Sequence, residues 1–171
     1  MSEKPHAECR IFDIVKKHFR HPDGREGDFF VKTARDWVQV VALTPEKKVI
    51  LVNQFRFGTQ NMSLEFPGGV IDAGEKPAEA AKRELREETG YAGGRPKLLH
   101  VISPNPAIQG NDAYIYLIEN CKKVSDVNFD PNEEIETVLT DFKNLDSLVE
   151  SKKIHHCIAV NAIYFAQKKG L

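Results

Sequence analysis

Residues 69–91 read GVIDAGEKPAEAAKRELREETGY. Within them Glu84, Glu87 and Glu88 stand three and four positions apart, so on a helix all three side chains leave by one face. The helix is expected from Pro77 onward: proline suits a first turn, AEAAKRELREET is rich in strong helix formers, and Gly90 stands where a helix stops. Like charges at this spacing cost about 0.2–0.5 kcal/mol per pair, so something must compensate. Either the face is solvated and relieved by Lys82, Arg83 and Arg86, or it holds a hard divalent cation, because Mg2+ and Mn2+ select carboxylate oxygens and bridge phosphates. Just upstream, FPGG at 66–69 breaks regular structure and lets backbone approach a ligand.

The rest of the chain bounds the context. A length of 171 residues, 41% hydrophobic and 29% charged, suits one globular domain with a substantial core. With 24 basic and 25 acidic side chains the formal charge is −1, so no global field draws the protein to nucleic acid or an anionic membrane. Cys9, Cys121 and Cys157 are odd in number, widely spaced and without a C-x-x-C pair, which argues against a disulfide framework or a zinc site. The N-terminal MSEKPHAECR lacks an apolar leader, and no run reaches the roughly 18 apolar residues of a membrane span. A cytoplasmic location is expected. His155, His156 and Cys157 are adjacent and point different ways on a helix, so they read as a helix start and not a metal site.

Along the chain, Pro22-Asp23-Gly24 is turn chemistry between two β-leaning runs and predicts an N-terminal hairpin. DWVQVVAL and VILVNQF flank TPEKK as a second hairpin, and SLEFPGGVI is a short strand that ends at Pro67. LLHVI and AYIYLI read as strands around the loop SPNPAIQGND, and IETVLTDF as another. The tail from about His155 to Lys168 has apolar residues at helical spacing. No repeat or low-complexity linker interrupts this order, so one domain over 1–171 is expected, with residues 1–35 as the hairpin extension and 36–171 as the core. The fold class is α/β, or α+β: a mixed sheet with helices packed on it.

Gly69, Glu75 and RELREETGY together reproduce G-x5-E-x7-R-E-U-x-E-E-x-G-U, where U is aliphatic, and on these residues the chain resembles the Nudix hydrolase family. Gly69, Glu75, Arg83, Glu84, Glu87, Glu88 and Gly90 fill every invariant position, and Leu85 fills the first aliphatic one. Tyr91 departs, placing an aromatic ring at the second. The resemblance implies the Nudix fold, a mixed sheet sandwiched between helices, and hydrolysis of a nucleoside diphosphate linked to another group. It implies Glu84 and Glu88 as direct ligands of Mg2+, with Mn2+ possible, and Glu87 as a ligand, a water-mediated partner or a catalytic group. The Gly68 carbonyl would complete the shell, while Glu75 and Arg83 pair and orient the ligands. A general base for the attacking water is expected outside this segment, in DPNEEIETV, with Glu133 the first choice and Glu134 the second.

VNQFRFGTQNMSLEFPGGVIDAGE is similar to the corresponding stretch of ADP-ribose and nucleoside diphosphate sugar pyrophosphatases, where a Q-x-R strand leads into L-E-x-P-x-G. Gln54 and Arg56 are then candidates for the substrate, Arg56 through bidentate donation to phosphate; a plain surface charge is the other reading of Arg56. Trp37 either stacks on the base or packs in the core. Pro106 stands about fifteen residues past the signature, as in the ADP-ribose group. S-P-N replaces the S-P-G of many ADP-ribose enzymes, so Asn105, with Gln109 and Asn111, is a candidate for sugar hydroxyls and the wider class of NDP-sugars, including ADP-ribose, is expected. The N-terminal hairpin either exchanges between two subunits of a homodimer or caps a sheet edge. Two rival functions stand beside this one. One is a Nudix hydrolase for a dinucleoside polyphosphate, a nucleoside triphosphate or a dinucleotide cofactor; the other is a nucleotide-sugar sensor without turnover.

Overall fold

The structure, a computed structural model, describes residues 2–8, 12–127 and 135–171. Its first strands, β1 (Ser2–Glu8), β2 (Asp13–Arg20) and β3 (Glu26–Thr33), form an antiparallel sheet of their own. The turn between β2 and β3 closes where the His21 N–H donates to the Arg25 carbonyl, 2.8 Å. Gly24 sits there at φ 91°, a left-handed conformation that side chains disfavour. The expected hairpin is therefore present but carries a third strand, β1, whose polar SEKPHAE has no apolar alternation to announce it.

The core follows as β4 (Trp37–Leu43), β5 (Lys48–Arg56), β6 (Asn61–Glu65) and β7 (Gly68–Val70), then α1 (Pro77–Thr89). Next come β8 (Tyr91–Ala92), β9 (Lys97–Ile102), β10 (Ala113–Ile118), β11 (Lys122–Lys123) and β12 (Ile135–Asp141), and the chain ends with α2 (Leu145–Glu150) and α3 (Cys157–Gln167). The main sheet runs β12-β5-β4-β10-β9, with β6 added to β5 and β7 to β4. β10 is parallel to β4, whereas β9 is antiparallel to β10 and β5 to β4, which makes the sheet mixed as expected.

Strand alternation divides the side chains between two cores. Val38, Val40, Ala42 and Ile50 pack with Ala80, Ala81 and Leu85 of α1. Val41, Leu43, Val49 and Leu51 pack with Ile158, Ala159, Ala162 and Ile163 of α3. Each fully buried Val, Leu or Ile contributes about 1.5–3 kcal/mol, so these layers clamp the sheet between the two helices. Continuing the alternation of β5, Gln54 and Arg56 share the face of Ile50, the face that α1 covers. Among the described residues no helix is long and apolar enough to cross a membrane.

Candidate active site

Helix α1 starts after Lys76 with proline in its first turn and ends at Gly90, whose φ of 73° lets its N–H donate back to the Arg86 carbonyl. Ala80, Ala81 and Leu85 hold one stripe against the sheet, so the neighbouring stripe carries Arg83, Glu84, Glu87 and Glu88 along the border of the core. Arg83 organises that border. Its Nε donates to Glu75 Oε1 at 3.0 Å and its Nη2 to Glu75 Oε2 at 2.8 Å. Nη1 donates to Glu84 Oε1 at 2.7 Å and to Glu87 Oε2 at 3.0 Å, and Nη2 also reaches the Val70 carbonyl at 3.1 Å. Those contacts equal the five N–H donors that a guanidinium has. The bonds to Glu75, with the carboxylates of Glu84 and Glu87, raise the Arg83 pKa further above its already high ordinary value. Arg83 in turn holds the Glu75 carboxyl below the usual glutamate range.

The Phe66–Gly69 turn delivers backbone to this face. The Val40 N–H donates to the Pro67 carbonyl at 2.8 Å, and the Gln39 amide donates to the Phe66 carbonyl at 3.2 Å. β7 then pairs with β4, Gly68 opposite Gln39 and Gly69 opposite Val38. The Gly68 N–H donates to Glu88 Oε2 at 2.9 Å, and Glu88 is only 6% exposed. The approach is close enough to require glycine. A Cβ on Gly68 would lie 2.2 Å from the Val38 carbonyl oxygen, and one on Gly69 would lie 2.3 Å from Glu84 Oε1.

Glu75, Arg83, Glu84, Glu87 and Glu88 are thus gathered with Gly68 and Gly69 at one place. Arg83 and Glu87 also line a cleft of about 630 Å3 with Lys82, Arg86 and Asp126. Glu84 and Glu87 converge on the same Arg83 nitrogen, and among the described residues no three acidic, His or Cys side chains already form a cage for a cation. The donor chemistry nevertheless suits a divalent ion. Glu75, Glu84 and Glu87 share the Arg83 guanidinium and Glu88 is held by the Gly68 N–H, which gathers hard oxygen donors of the kind that Mg2+ takes.

Other candidates fall elsewhere. Arg56 makes a two-point pair with Glu65, Nε to Oε1 and Nη2 to Oε2 both at 2.8 Å. Gln54 is buried opposite Ser63. Trp37 packs against the core cluster on the α3 side of the sheet, and its buried indole Nε1 has no hydrogen-bond partner among the described residues. Asn105 and Pro106 are exposed in the 103–112 loop. That loop is tied down at its far end: the Asp112 N–H donates to Asp36 Oδ1 at 2.9 Å, Asn111 Nδ2 donates to the Arg35 carbonyl at 3.2 Å, and the Lys32 N–H donates to the Ile108 carbonyl at 2.8 Å. Glu133 and Glu134 lie outside the described residues. Gln39 and Glu65 are participants that sequence reasoning passed over. A polar residue inside the apolar run WVQVVAL, and an acid directly before FPGG, were the signals available.

The chain has relatives among known proteins. The NUDIX domain family matches residues 33–157. An ADP-ribose pyrophosphatase of Bacillus subtilis (strain 168) is 27% identical over 161 residues, 94% of this chain and 87% of that protein. The ADP compounds hydrolase NudE of Escherichia coli (strain K12) is 26% identical over 164 residues, 95% of this chain and 87% of that protein. A crystal structure of an ADP compounds hydrolase superposes with a TM-score of 0.87, covering 98% of this chain and 91% of the other at 23% identity, which shows the shared fold.

Proposed function

The chain belongs to the NUDIX domain family, and from that premise we propose that it hydrolyses the diphosphate bond of ADP-sugars, ADP-ribose among them, to a nucleoside monophosphate and a sugar phosphate. It is a Nudix pyrophosphatase, a hydrolase of phosphorus-containing anhydrides. The observation that carries the reading is the meeting of Glu84, Glu87 and Glu88 with the Gly68–Gly69 turn, organised by Arg83. Relatives that match nearly the whole chain bear names of the same chemistry, ADP-ribose pyrophosphatase and ADP compounds hydrolase.

In the reaction a water oxygen attacks one phosphorus of the diphosphate, the bond from that phosphorus to the bridging oxygen breaks, and the water gives up its proton. Glu84, Glu87, Glu88 and the Gly68 carbonyl would hold the divalent cation, for which we propose Mg2+. When bound, the cation supplies charge neutralisation for the diphosphate oxygens and lowers the pKa of a water molecule. The protein's own share is position and charge. Arg83 prevents Glu84 and Glu87 from splaying apart, and the glycine turn brings backbone to the substrate with no side chain in between. Arg56 is proposed to donate to the diphosphate oxygens, Gln54 to support it, and Asn105 and Pro106 to border the sugar. Glu133, or Glu134 in its place, is proposed to take the proton. Residues 1–35 are proposed to join two copies as a homodimer, which sedimentation showing only 19.3 kDa particles would contradict.

Incubation with Mg2+ and ADP-ribose, followed by chromatography of the products, tests the reaction. AMP and ribose 5-phosphate in equal amounts are expected. Faster cleavage of a dinucleoside polyphosphate, a nucleoside triphosphate or a dinucleotide cofactor in the same panel would move the substrate assignment. Thermal protection by ADP-ribose without products would identify a sensor.

A further inference from the structure

We propose that Glu65 is a positioning residue for the reaction: it holds the Arg56 guanidinium in one orientation, so that this cation meets the substrate diphosphate already aimed. The inference rests on the reading that Arg56 contacts that diphosphate.

The burial of the pair is lopsided. The Glu65 side chain is 1% exposed and the Arg56 side chain 30%. In an ordinary surface ion pair both groups are solvated and the geometry is loose. Here the carboxylate lies inside and the guanidinium faces out, which is the arrangement of an anchor and the group it aims. Both Glu65 oxygens are engaged, by Nε and Nη2 at 2.8 Å each. A two-point contact of this kind fixes the guanidinium plane as well as its position.

Register explains how the two meet. Arg56 pairs with Asn61 and Glu65 with Val52, with Gln54 opposite Ser63 between them. All lie on the face that α1 covers, so the Arg56 side chain must run back along its own strand to reach Glu65. Gln54 and Ser63, 8% and 0% exposed, lie along that path. The chain connects the anchor directly to the glutamate cluster. Only Phe66 and Pro67 separate Glu65 from Gly68, a reach of at most about 11 Å, and the Gly68 N–H holds Glu88. One short segment therefore sets both the guanidinium and a carboxylate of the acidic face.

Steady-state kinetics with Mg2+ and ADP-ribose on Glu65→Gln, Arg56→Lys, Arg56→Ala and the double variant Glu65→Gln/Arg56→Ala test the inference, with melting curves alongside. Glu65→Gln is expected to raise KM about tenfold while kcat changes less than about threefold, the pattern of lost substrate alignment. Arg56→Lys keeps the charge but cannot span two oxygens, and should raise KM to a similar extent. In the Arg56→Ala background, Glu65→Gln should add nothing to KM. Multiplying KM effects in the double variant, or a Glu65→Gln effect on kcat with KM unmoved, would overturn the assignment. Should Glu65→Gln fail to fold, Arg56→Lys decides: a KM like that of the wild type overturns the inference and a raised one supports it. Absence of wild-type turnover on ADP-ribose overturns the substrate reading and this inference with it, whereas turnover with independent variants overturns the inference alone.

Discussion

Gly68 donates its N–H to Oε2 of Glu88 at 2.9 Å, across twenty positions of sequence. The bond ties β7 to the last turn of α1, so the glycine turn and the helix that carries the carboxylates are fastened to each other.

That junction separates two adjacent glycines by the kind of neighbour each one meets. Gly68→Ala drives a methyl into the Val38 carbonyl oxygen, which belongs to a buried strand and cannot yield. A loss of about 1–3 kcal/mol of stability is expected, read as a lower Tm. Gly69→Ala meets the end of the Glu84 side chain, which can swing away. The fold should survive with Tm nearly unchanged while kcat/KM falls by about a hundredfold, because a displaced carboxylate is lost to preorganisation.

Arg83→Lys tests whether the guanidinium is a scaffold for the acidic face. Lysine keeps the charge but cannot serve Glu75, Glu84, Glu87 and the Val70 carbonyl at once. Activity is expected to fall about 10–100-fold, the usual loss when a partner of metal-binding side chains is removed. Calorimetric titration with Mg2+ should show weaker uptake in parallel, and uptake equal to the wild type would contradict the scaffold role.

A pH dependence is expected from His156, which stands before α3 and accepts the Ile158 N–H on Nδ1 at 3.3 Å. Burial lowers its pKa from the ordinary 6.5; Glu65 pulls it back up, and Arg56 and His155 lower it again, with the net direction downward. A depressed folded pKa means that the folded state favours the neutral ring. Its contribution is complete above pH 6.5 and is lost as the pH falls through the folded value. Protonation also removes the Nδ1 acceptor that caps the helix. The Tm of the wild type should therefore drop as buffers go from pH 8 to pH 5, and His156→Asn, which keeps a capping acceptor, should show a flatter curve. Parallel curves would exclude His156 as the source.

Trp37→Ala distinguishes packing from base stacking. The indole packs against the cluster built by α3, on the sheet face opposite α1. Truncation of so large a side chain should cost about 3 kcal/mol, seen as a lower midpoint in urea, with little change in KM for ADP-ribose. A raised KM at unchanged stability would assign the ring to the base.

Much of this protein was legible in its residues, because the information was local. Helix α1 could be read from Pro77, the strong helix formers and Gly90, and the shared face of Glu84, Glu87 and Glu88 follows from helical spacing alone. Apart from β7, whose glycine pair reads as a break, the strands of the main sheet announced themselves by alternation and by runs of branched and aromatic residues. β1 did not, since a polar strand that pairs at the edge of a small sheet needs no apolar pattern. Tertiary structure decided what depends on partners remote in sequence. The seating of Gly68 against Val38, the gathering of Glu75, Glu84 and Glu87 by Arg83, the fastening of Arg56 to Glu65 and the turning of Trp37 toward α3 are outcomes of sheet register and helix placement. Spacing along the chain says which groups share a face, and only packing across the sheet says which of them meet.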